Sequence, residues 1–256
     1  MDKRKQLSNL TSTRRMAAGR SAPLPAPMTT LPAPADTDPA LAFAPHAALA
    51  RALLPHALDA ATAGDGAHDL AHLQRVWRNV QRIAAAEGGD TDVLLAATLL
   101  HDCVHVEKNA PHRAQASRLS ADKAAGVLAA LGWTEARTAA VGHAIAAHSF
   151  SAGIAPQSLE ARILQDADRL DAIGLVGAAR CFYVGGRMGR ALYDPVDARA
   201  ERRPLDDGRF TLDHFQTKLF HLATGFQTAE GARLAAVRQQ RLRDFYDGFL
   251  DEITAG

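Results

Sequence analysis

The chain has 256 residues, of which 47% are hydrophobic and 22% are charged, and its formal net charge at pH 7 is +1. This balance gives no sign of a nucleic-acid-binding surface, and no apolar run reaches the roughly 18 residues that a membrane-spanning helix requires. Cys103 and Cys181 form neither a CxxC pair nor a disulfide framework, which suits the cytoplasm. Abundant alanine and few aromatic residues favour an all-α fold.

The first 40 residues are predicted to form a disordered tail. Residues 1–20 carry six basic side chains and one acidic side chain, and prolines recur between Pro23 and Pro39. Proline has no backbone N–H, so this composition excludes a continuous helix. A transit peptide and a partner-binding segment are the alternatives for the tail. The remaining residues, 41–256, are predicted to form one folded domain.

About eight helices are predicted in that domain from apolar spacing and from capping and breaking residues. They span approximately 41–58, 68–87, 91–102, 117–131, 135–148, 158–182, 212–222 and 229–253. Between them we expect a loop over 106–116 and a flexible stretch around Gly185, Gly186 and Gly189. The polar segment 193–209 is predicted to be a lid, a mobile insertion or a long surface loop.

The most informative stretch is Leu99-Leu100-His101-Asp102, which ends a strongly apolar helical run. Burying a carboxylate and an imidazole beside so many leucines costs free energy unless another group pairs with them, and a divalent metal ion is such a partner. Three other segments supply candidate ligands, namely His68 to His72, His143 with His148, and Asp166 to Asp171.

Two histidine pairs, His68/His72 and His101/His105, have the i, i+4 spacing that places both rings on one face of a helix. Neither pair contains the glutamate of the zinc-protease HExxH motif. A histidine at such a position is more often an ordinary core or surface residue, so the spacing is a weak indication of a metal site.

The order His, then His-Asp, then Asp is more specific. It resembles the HD-domain superfamily of metal-dependent phosphohydrolases, an all-α fold whose ligands lie on three successive segments. Carried over residue by residue, the resemblance implies the metal ligands His72, His101, Asp102 and Asp168. It covers approximately residues 45–255 and is similar to a subgroup of small bacterial HD hydrolases, one member of which is a nucleoside triphosphate pyrophosphohydrolase.

This ligand set combines borderline nitrogen donors with hard oxygen donors. Such a set suits a divalent ion (Mn²⁺, Co²⁺, Ni²⁺, Fe²⁺, Mg²⁺ or Zn²⁺), and we favour manganese. The number of ions, one or two, is left open. The implied reaction is attack of a metal-bound water on phosphorus, because a divalent ion lowers the pKa of its water and polarises a phosphoryl oxygen.

The resemblance also implies roles for neighbouring residues. Asp102 is expected both to bind the ion and to orient the attacking water. Asp69 or His68 is expected to act as general base or to contact a metal ligand from behind. The predicted substrate contacts are Lys108, His143, His148, Asp171 and Arg75. Alternatives remain for these five: a solvated lysine, two packed or second-ion histidines, a carboxylate that contacts a metal ligand, and an arginine that ties helices together.

The function implied is that of a cytoplasmic hydrolase of nucleotides, either a nucleoside triphosphate pyrophosphohydrolase or a nucleotidase. Its partner is a small phosphate-bearing molecule, with no nucleic acid and no membrane, and a homodimer is compatible with the sequence. One alternative is a phosphodiesterase of a signalling nucleotide. The other is a regulatory module that binds a nucleotide and a metal ion without turnover.

Overall fold

The computed structural model describes residues 38–57, 69–106, 115–149 and 152–254. These residues form nine α-helices, and the all-α prediction is confirmed. The helices are α1 Ala47–Ala57, α2 Leu70–Glu87, α3 Thr91–Leu100, α4 Ala116–Ala130, α5 Glu135–His148, α6 Leu159–Asp171, α7 Gly174–Arg187, α8 Asp213–Thr217 and α9 Ala229–Thr254, with 3₁₀ helices at Pro39–Phe43 and Leu219–His221. Most of the predicted tail and of the 106–116 loop lies outside the described residues, so the domain boundary at residue 40 stays a prediction.

Helix α3 is the centre of the main hydrophobic core. Every residue from Val93 to Leu100 is buried, so the helix is apolar on all sides rather than amphipathic. It packs against α1, α2, α5 and α6. Asp90 caps its N-terminus by accepting hydrogen bonds from the N–H groups of Asp92 and Val93. The helix therefore delivers the residues that follow Leu100 to a buried position between its neighbours.

Helix α2 begins and ends at strong local signals. The Asp69 side chain accepts a hydrogen bond from the N–H of His72, and Gly88 ends the helix with a φ of +89°. One face of α2 is buried against α3 and α6, and its apolar residues are Leu73, Val76, Trp77, Val80 and Ile83. Burial of this stripe fixes His72, in the first turn, on the side that faces the core.

A second, smaller core lies between α7, α8 and the C-terminal half of α9. It is aromatic: Phe182, Phe215 and Phe245 lie with ring centroids about 6 Å apart, and Phe215 stacks on Phe245. The segment that precedes α8 is tied to it by Arg203, which forms ion pairs with Asp194 and Asp213. The 193–209 segment is thus a turn-rich surface segment with fixed ion pairs.

Three predicted elements differ from the structure. The helix predicted over 158–182 is two helices, because the chain turns at Ala172 and Ile173 and Gly174 has a φ of +72°. Gly185 and Gly186, predicted to be flexible, lie inside α7. The helix predicted over 212–222 is the short α8 followed by a 3₁₀ turn. None of the described helices is long and apolar enough to cross a membrane.

Candidate metal centre

Four predicted ligands converge where α2, the end of α3 and α6 meet. The Nε2 atoms of His72 and His101 lie 3.3 Å apart. Asp168 Oδ1 lies 3.7 Å from His72 Nε2 and 3.8 Å from His101 Nε2. Asp102 Oδ2 lies 3.5 Å from His101 Nε2. The structure thus brings together donor atoms from three separate parts of the sequence.

His148, the last residue of α5, is a fifth member of this cluster. Its Nε2 lies 3.5 Å from Asp102 Oδ1, and its ring meets that of His101 edge-on at a centroid distance of 4.8 Å. Two sets of donor atoms lie within 4.8 Å of one another: His72 with His101 and Asp102, and His101 with His148 and Asp168. His148 is therefore placed where it could either bind the ion or contact the substrate.

All three rings have their Nδ1 atoms bound to an acceptor of the protein. His101 Nδ1 lies 2.8 Å from the carbonyl oxygen of Thr98, and His148 Nδ1 lies 2.6 Å from that of Ile145. His72 Nδ1 lies 2.9 Å from Asp171 Oδ2. A carbonyl or ionised carboxylate oxygen only accepts, so each Nδ1 is the donor. Each Nε2 therefore points toward the centre of the cluster.

The central histidines are buried and the carboxylates lie toward solvent. The side chains of His72 and His101 are 2% and 0% exposed, whereas those of Asp102 and Asp168 are 40% and 28% exposed. Burial lowers the pKa of His101, so its ring is neutral at pH 7 and Nε2 carries a lone pair. Among the described residues of the cluster, the carboxylates are thus the groups that a charged substrate can reach from solvent.

Asp102 and His148 each stabilise the charged form of the other. Burial alone would raise the pKa of Asp102, but the rings of His101 and His148 outweigh it and hold that pKa well below its usual value. Burial alone would lower the pKa of His148, but the hydrogen bond to Asp102 and the nearby Asp168 raise it. Asp102 is therefore ionised at neutral pH and able to act as an anionic ligand.

The distances among His72, His101 and Asp168 are close to those that one divalent ion requires. Two ligands about 2.1 Å from an ion and about 90–110° apart lie about 3.0–3.4 Å from each other. The separation of His72 Nε2 from His101 Nε2 is within this range, and the distances to Asp168 exceed it slightly.

Behind His72 lies a buried carboxylate. Asp171 is 1% exposed, and Arg75 donates to both of its oxygens, at 2.7 and 3.1 Å. Arg180 of α7 donates to Asp171 Oδ2 at 3.0 Å. The structure therefore shows the contact between Asp171 and a proposed ligand, His72. The substrate contacts predicted for Asp171 and Arg75 stay predictions.

The turn that carries His101 and Asp102 is held by α4. Ser120 Oγ accepts a hydrogen bond from the N–H of Val104 at 3.2 Å, and Lys123 Nζ donates to the carbonyl of Cys103 at 2.8 Å. This role of Ser120 and Lys123 is not predicted from the sequence. A serine and a lysine on an amphipathic helix carry no local signal for a contact of this kind, because only the packing of α4 creates it.

Asp168 is flanked by two residues that fasten α6 to the segment before α9. Asp166 accepts hydrogen bonds from the N–H groups of Gln227 and Thr228, at 2.9 and 2.8 Å. Arg169 donates to the carbonyls of Leu222, Thr224 and Gly225. These contacts on both sides of Asp168 fix the rotation of α6 and hence the direction of its carboxylate.

The remaining predicted residues lie elsewhere or outside the described ranges. Asp69 caps α2 through the N–H of His72, and His143 Nε2 accepts a hydrogen bond from the N–H of Gln157 at 3.0 Å. His68 and Lys108 lie outside the described residues. The catalytic roles of Asp69 and His68 and the substrate contacts of Lys108, His143 and His148 stay predictions.

The helical spacing of His101 and His105 is absent from the structure. Helix α3 ends at Leu100, and His101 is its C-cap residue. The two rings therefore do not share a helix face. The i, i+4 partner of His72, His68, lies outside the described residues.

Comparison with known proteins identifies the family. The family described as HD domain matches residues 69–173, which include all four predicted ligands. The uncharacterized protein YpgQ of Bacillus subtilis is 31% identical over 182 residues, covering 70% of this chain and 80% of that protein. The chain belongs to the HD domain family. The enzyme class is therefore that of metal-dependent phosphohydrolases, as the resemblance implied.

Solved structures support the HD fold beyond the matched segment. An HD-superfamily hydrolase from Bacillus thuringiensis has a TM-score of 0.62 and 28% identity, covering 82% of this chain and 98% of its own. The structure of Bacillus subtilis YpgQ in complex with ADP has a TM-score of 0.59 and 27% identity, covering 82% of this chain and 97% of its own. HD domains bind a divalent metal ion, and the His/Asp cluster is where this chain could hold one.

Proposed function

We propose that this HD domain protein hydrolyses the phosphate bonds of nucleotides, using a divalent ion held by His72, His101, Asp102 and Asp168. The observation that carries the proposal is the convergence of two inward-facing imidazole nitrogens and two carboxylates, with the rings buried and the carboxylates toward solvent. This arrangement binds a cation strongly while leaving one side open to an anionic substrate.

The nucleotide substrate is supported by a relative. YpgQ of Bacillus subtilis, whose structure was determined in complex with ADP, shares the fold over 82% of this chain. Hydrolysis releases either inorganic phosphate or pyrophosphate, according to which phosphorus atom the water attacks. A nucleoside triphosphate pyrophosphohydrolase and a nucleotidase are the two forms of the proposal. The free state of both cysteines favours the cytoplasm as the place of the reaction.

The ion, when bound, supplies Lewis acidity that activates water and neutralises phosphoryl oxygens. We favour Mn²⁺, because the set of two imidazoles and two carboxylates combines borderline and hard donors. Asp102 is ionised and partly exposed, so it can orient the attacking water by accepting a hydrogen bond from it. His148 holds that carboxylate in place from the α5 side.

The test is a hydrolysis screen with metal-stripped full-length protein. Mn²⁺, Co²⁺, Ni²⁺, Mg²⁺ or Zn²⁺ is added with nucleoside mono-, di- and triphosphates, and phosphate and pyrophosphate are measured separately. Asp102→Ala is compared with Asp92→Ala. Both aspartates are similarly exposed, at 40% and 44%, but Asp92 lies at the opposite end of α3 and pairs with His46 and Arg137. We expect metal-dependent release by the wild type and Asp92→Ala, and at least a 100-fold loss in Asp102→Ala.

Each other outcome favours a different function. Hydrolysis of a cyclic or dinucleotide substrate, with mononucleotides left intact, would identify a phosphodiesterase. Nucleotide binding that raises the melting temperature without any product under any metal would indicate a regulatory module. Equal activity of Asp102→Ala and the wild type would contradict the proposed role of this cluster.

A further inference from the structure

Asp171 connects the candidate metal centre with two other helices. It receives hydrogen bonds from His72 and Arg75 of α2 and from Arg180 of α7. The carboxylate is 1% exposed and both of its oxygens are engaged. A buried carboxylate persists as a charge only when cations and donors surround it, and here two guanidinium groups do so.

The hydrogen bond between Asp171 and His72 determines the proton position and the orientation of the His72 ring. Oδ2 lies 2.9 Å from His72 Nδ1, and an ionised carboxylate only accepts. When the ring is neutral, its proton therefore sits on Nδ1, and Nε2 has the lone pair on the side of His101 and Asp168. The two parallel hydrogen bonds from Arg75 fix the plane of the carboxylate, and with it the rotation of the His72 ring.

We propose that Asp171, held by Arg75 and Arg180, is a positioning residue that fixes the proton position and the ring orientation of His72 for ion binding. The inference rests on the proposed ligand role of His72 and does not depend on the nucleotide substrate. Arg180 lies beyond residues 69–173, which match the HD domain family. Helix α7, which also contributes to the aromatic core, thus takes part in setting up the metal centre.

The chain contains a matched control for Asp171. Asp213 is also 1% exposed and also accepts two hydrogen bonds from one arginine, Arg203, at 2.6 and 2.9 Å. Its third donor is the backbone N–H of Asp206, and none of its described contacts is a histidine. Asp171→Asn and Asp213→Asn each remove the charge of a buried carboxylate beside an arginine, but only the first acts on His72.

The first readout is the affinity for Mn²⁺ alone, measured by titration calorimetry on metal-stripped full-length protein. Loss of an outer carboxylate on a ligating histidine typically weakens metal binding about 10- to 100-fold. We expect this loss in Asp171→Asn and wild-type affinity in Asp213→Asn. Equal affinities of Asp171→Asn and the wild type, or an equal loss in both variants, would overturn the proposal.

The second readout needs no metal. Nitrogen-15 NMR of the imidazole rings distinguishes the two neutral tautomers, and His72→Gln assigns the His72 signals by their disappearance. We expect His72 of the metal-stripped wild type and Asp213→Asn to have the proton on Nδ1, and Asp171→Asn to populate the other tautomer. A proton on Nε2 in the wild type, or an unchanged Nδ1 proton in Asp171→Asn, would overturn the proposal even if Mn²⁺ does not bind.

Arg180→Gln provides a test that keeps the Asp171 side chain. Because Arg75 still holds the carboxylate, we expect a smaller loss, about 2- to 5-fold in Mn²⁺ affinity, with His72 still protonated on Nδ1. If Asp171→Asn does not fold, this variant decides. Unchanged Mn²⁺ affinity in Arg180→Gln would then overturn the proposal, which includes Arg180 among the groups that hold Asp171.

Discussion

The Nε2 atoms of His72 and His101 face each other at 3.3 Å, although the two residues are 29 positions apart in the sequence. His101 is neutral and has its proton on Nδ1, because that atom donates to the carbonyl of Thr98. A divalent ion bound beside these two nitrogens can take both as ligands. Packing of α2 against the end of α3 holds this arrangement, and it is the physical basis of the proposed metal site.

Substitution of Gly231 is expected to destabilise the protein through the contacts that flank Asp168. A Cβ at Gly231 would collide with Asp166 Oδ2 and lie 2.6 Å from Thr228 Oγ1. We expect Gly231→Ala to lower the free energy of unfolding by about 1–3 kcal/mol, measured by urea titration. Gly248, on the same helix, has open space around it, so Gly248→Ala should raise that free energy by about 0.5–1 kcal/mol. Equal effects of the two substitutions would contradict the close packing at Gly231.

Asp69 has a capping role in the structure and a predicted role as general base, and two substitutions separate them. Asparagine caps helices as well as aspartate does, whereas alanine does not. We expect Asp69→Ala to lose about 1 kcal/mol of unfolding free energy and Asp69→Asn to lose almost none. The general-base role requires the hydrolysis rate of Asp69→Asn to fall about 100-fold or more. An unchanged rate in this stable variant would contradict that role.

Asn79 links three helices below the metal centre. Its Nδ2 donates to the carbonyl of Ala167 at 2.9 Å, and its Oδ1 accepts from Arg238 Nη2 at 2.6 Å. Asn79→Ala leaves the buried carbonyl of Ala167 and the partly buried Arg238 without that partner, so we expect a loss of about 1–3 kcal/mol in unfolding free energy. Gln81→Ala, at an exposed position of the same helix, should change it by less than about 0.5 kcal/mol. A stable Asn79→Ala would show that other groups replace the asparagine.

The cysteines are expected to react slowly in the folded protein. Burial raises the pKa of the Cys181 thiol to about 11, and it also raises the pKa of Cys103. At pH 8 about one Cys181 in a thousand is then ionised, against roughly a quarter in an unfolded chain. Labelling with a thiol reagent should therefore be slow at pH 8 and accelerate about tenfold per pH unit, with Cys181→Ser isolating Cys103.

The same pKa shift affects alkaline stability. The folded-state pKa of Cys181 lies above the unfolded value of about 8.5, so the folded form holds its proton more tightly. This contribution to stability is complete below about pH 8.5 and is lost as the pH rises toward 11. Unfolding of the wild type should become easier over that interval relative to Cys181→Ser. Parallel stability curves for the two proteins would contradict the raised pKa.

Local signals in the sequence predicted several elements well. Helix α5 spans Glu135 to His148 as expected, because Thr134 caps it by binding the N–H of Arg137. The turn at Ala172 and Ile173, which divides the helix predicted over 158–182, was not predicted. Neither residue is a helix breaker, and the positive φ of Gly174 depends on the tertiary fold. Gly185 was predicted to be flexible, but it lies inside a helix. A glycine is needed there because Thr211 Oγ1 approaches so closely that a Cβ would not fit.

In the candidate site too, some residues could be predicted from the sequence and others are revealed only by tertiary packing. The order of His72, His101-Asp102 and Asp168 along the chain resembles that of the HD-domain superfamily, and this resemblance was sufficient to predict residues that converge. Arg180 and Ser120 could not be found in this way. Polar residues at helical surface positions are common, and only the packing of α7 and α4 shows which of them contact the centre.

The most direct test of the account is a crystal structure of the full chain with Mn²⁺, using anomalous scattering to locate the ion. The account predicts one ion bonded to the Nε2 atoms of His72 and His101 and to the carboxylates of Asp102 and Asp168, with His72 Nδ1 still bound to Asp171. Crystals of a chain that hydrolyses nucleotides with Mn²⁺, but whose Mn²⁺ lies away from these four side chains, would contradict it.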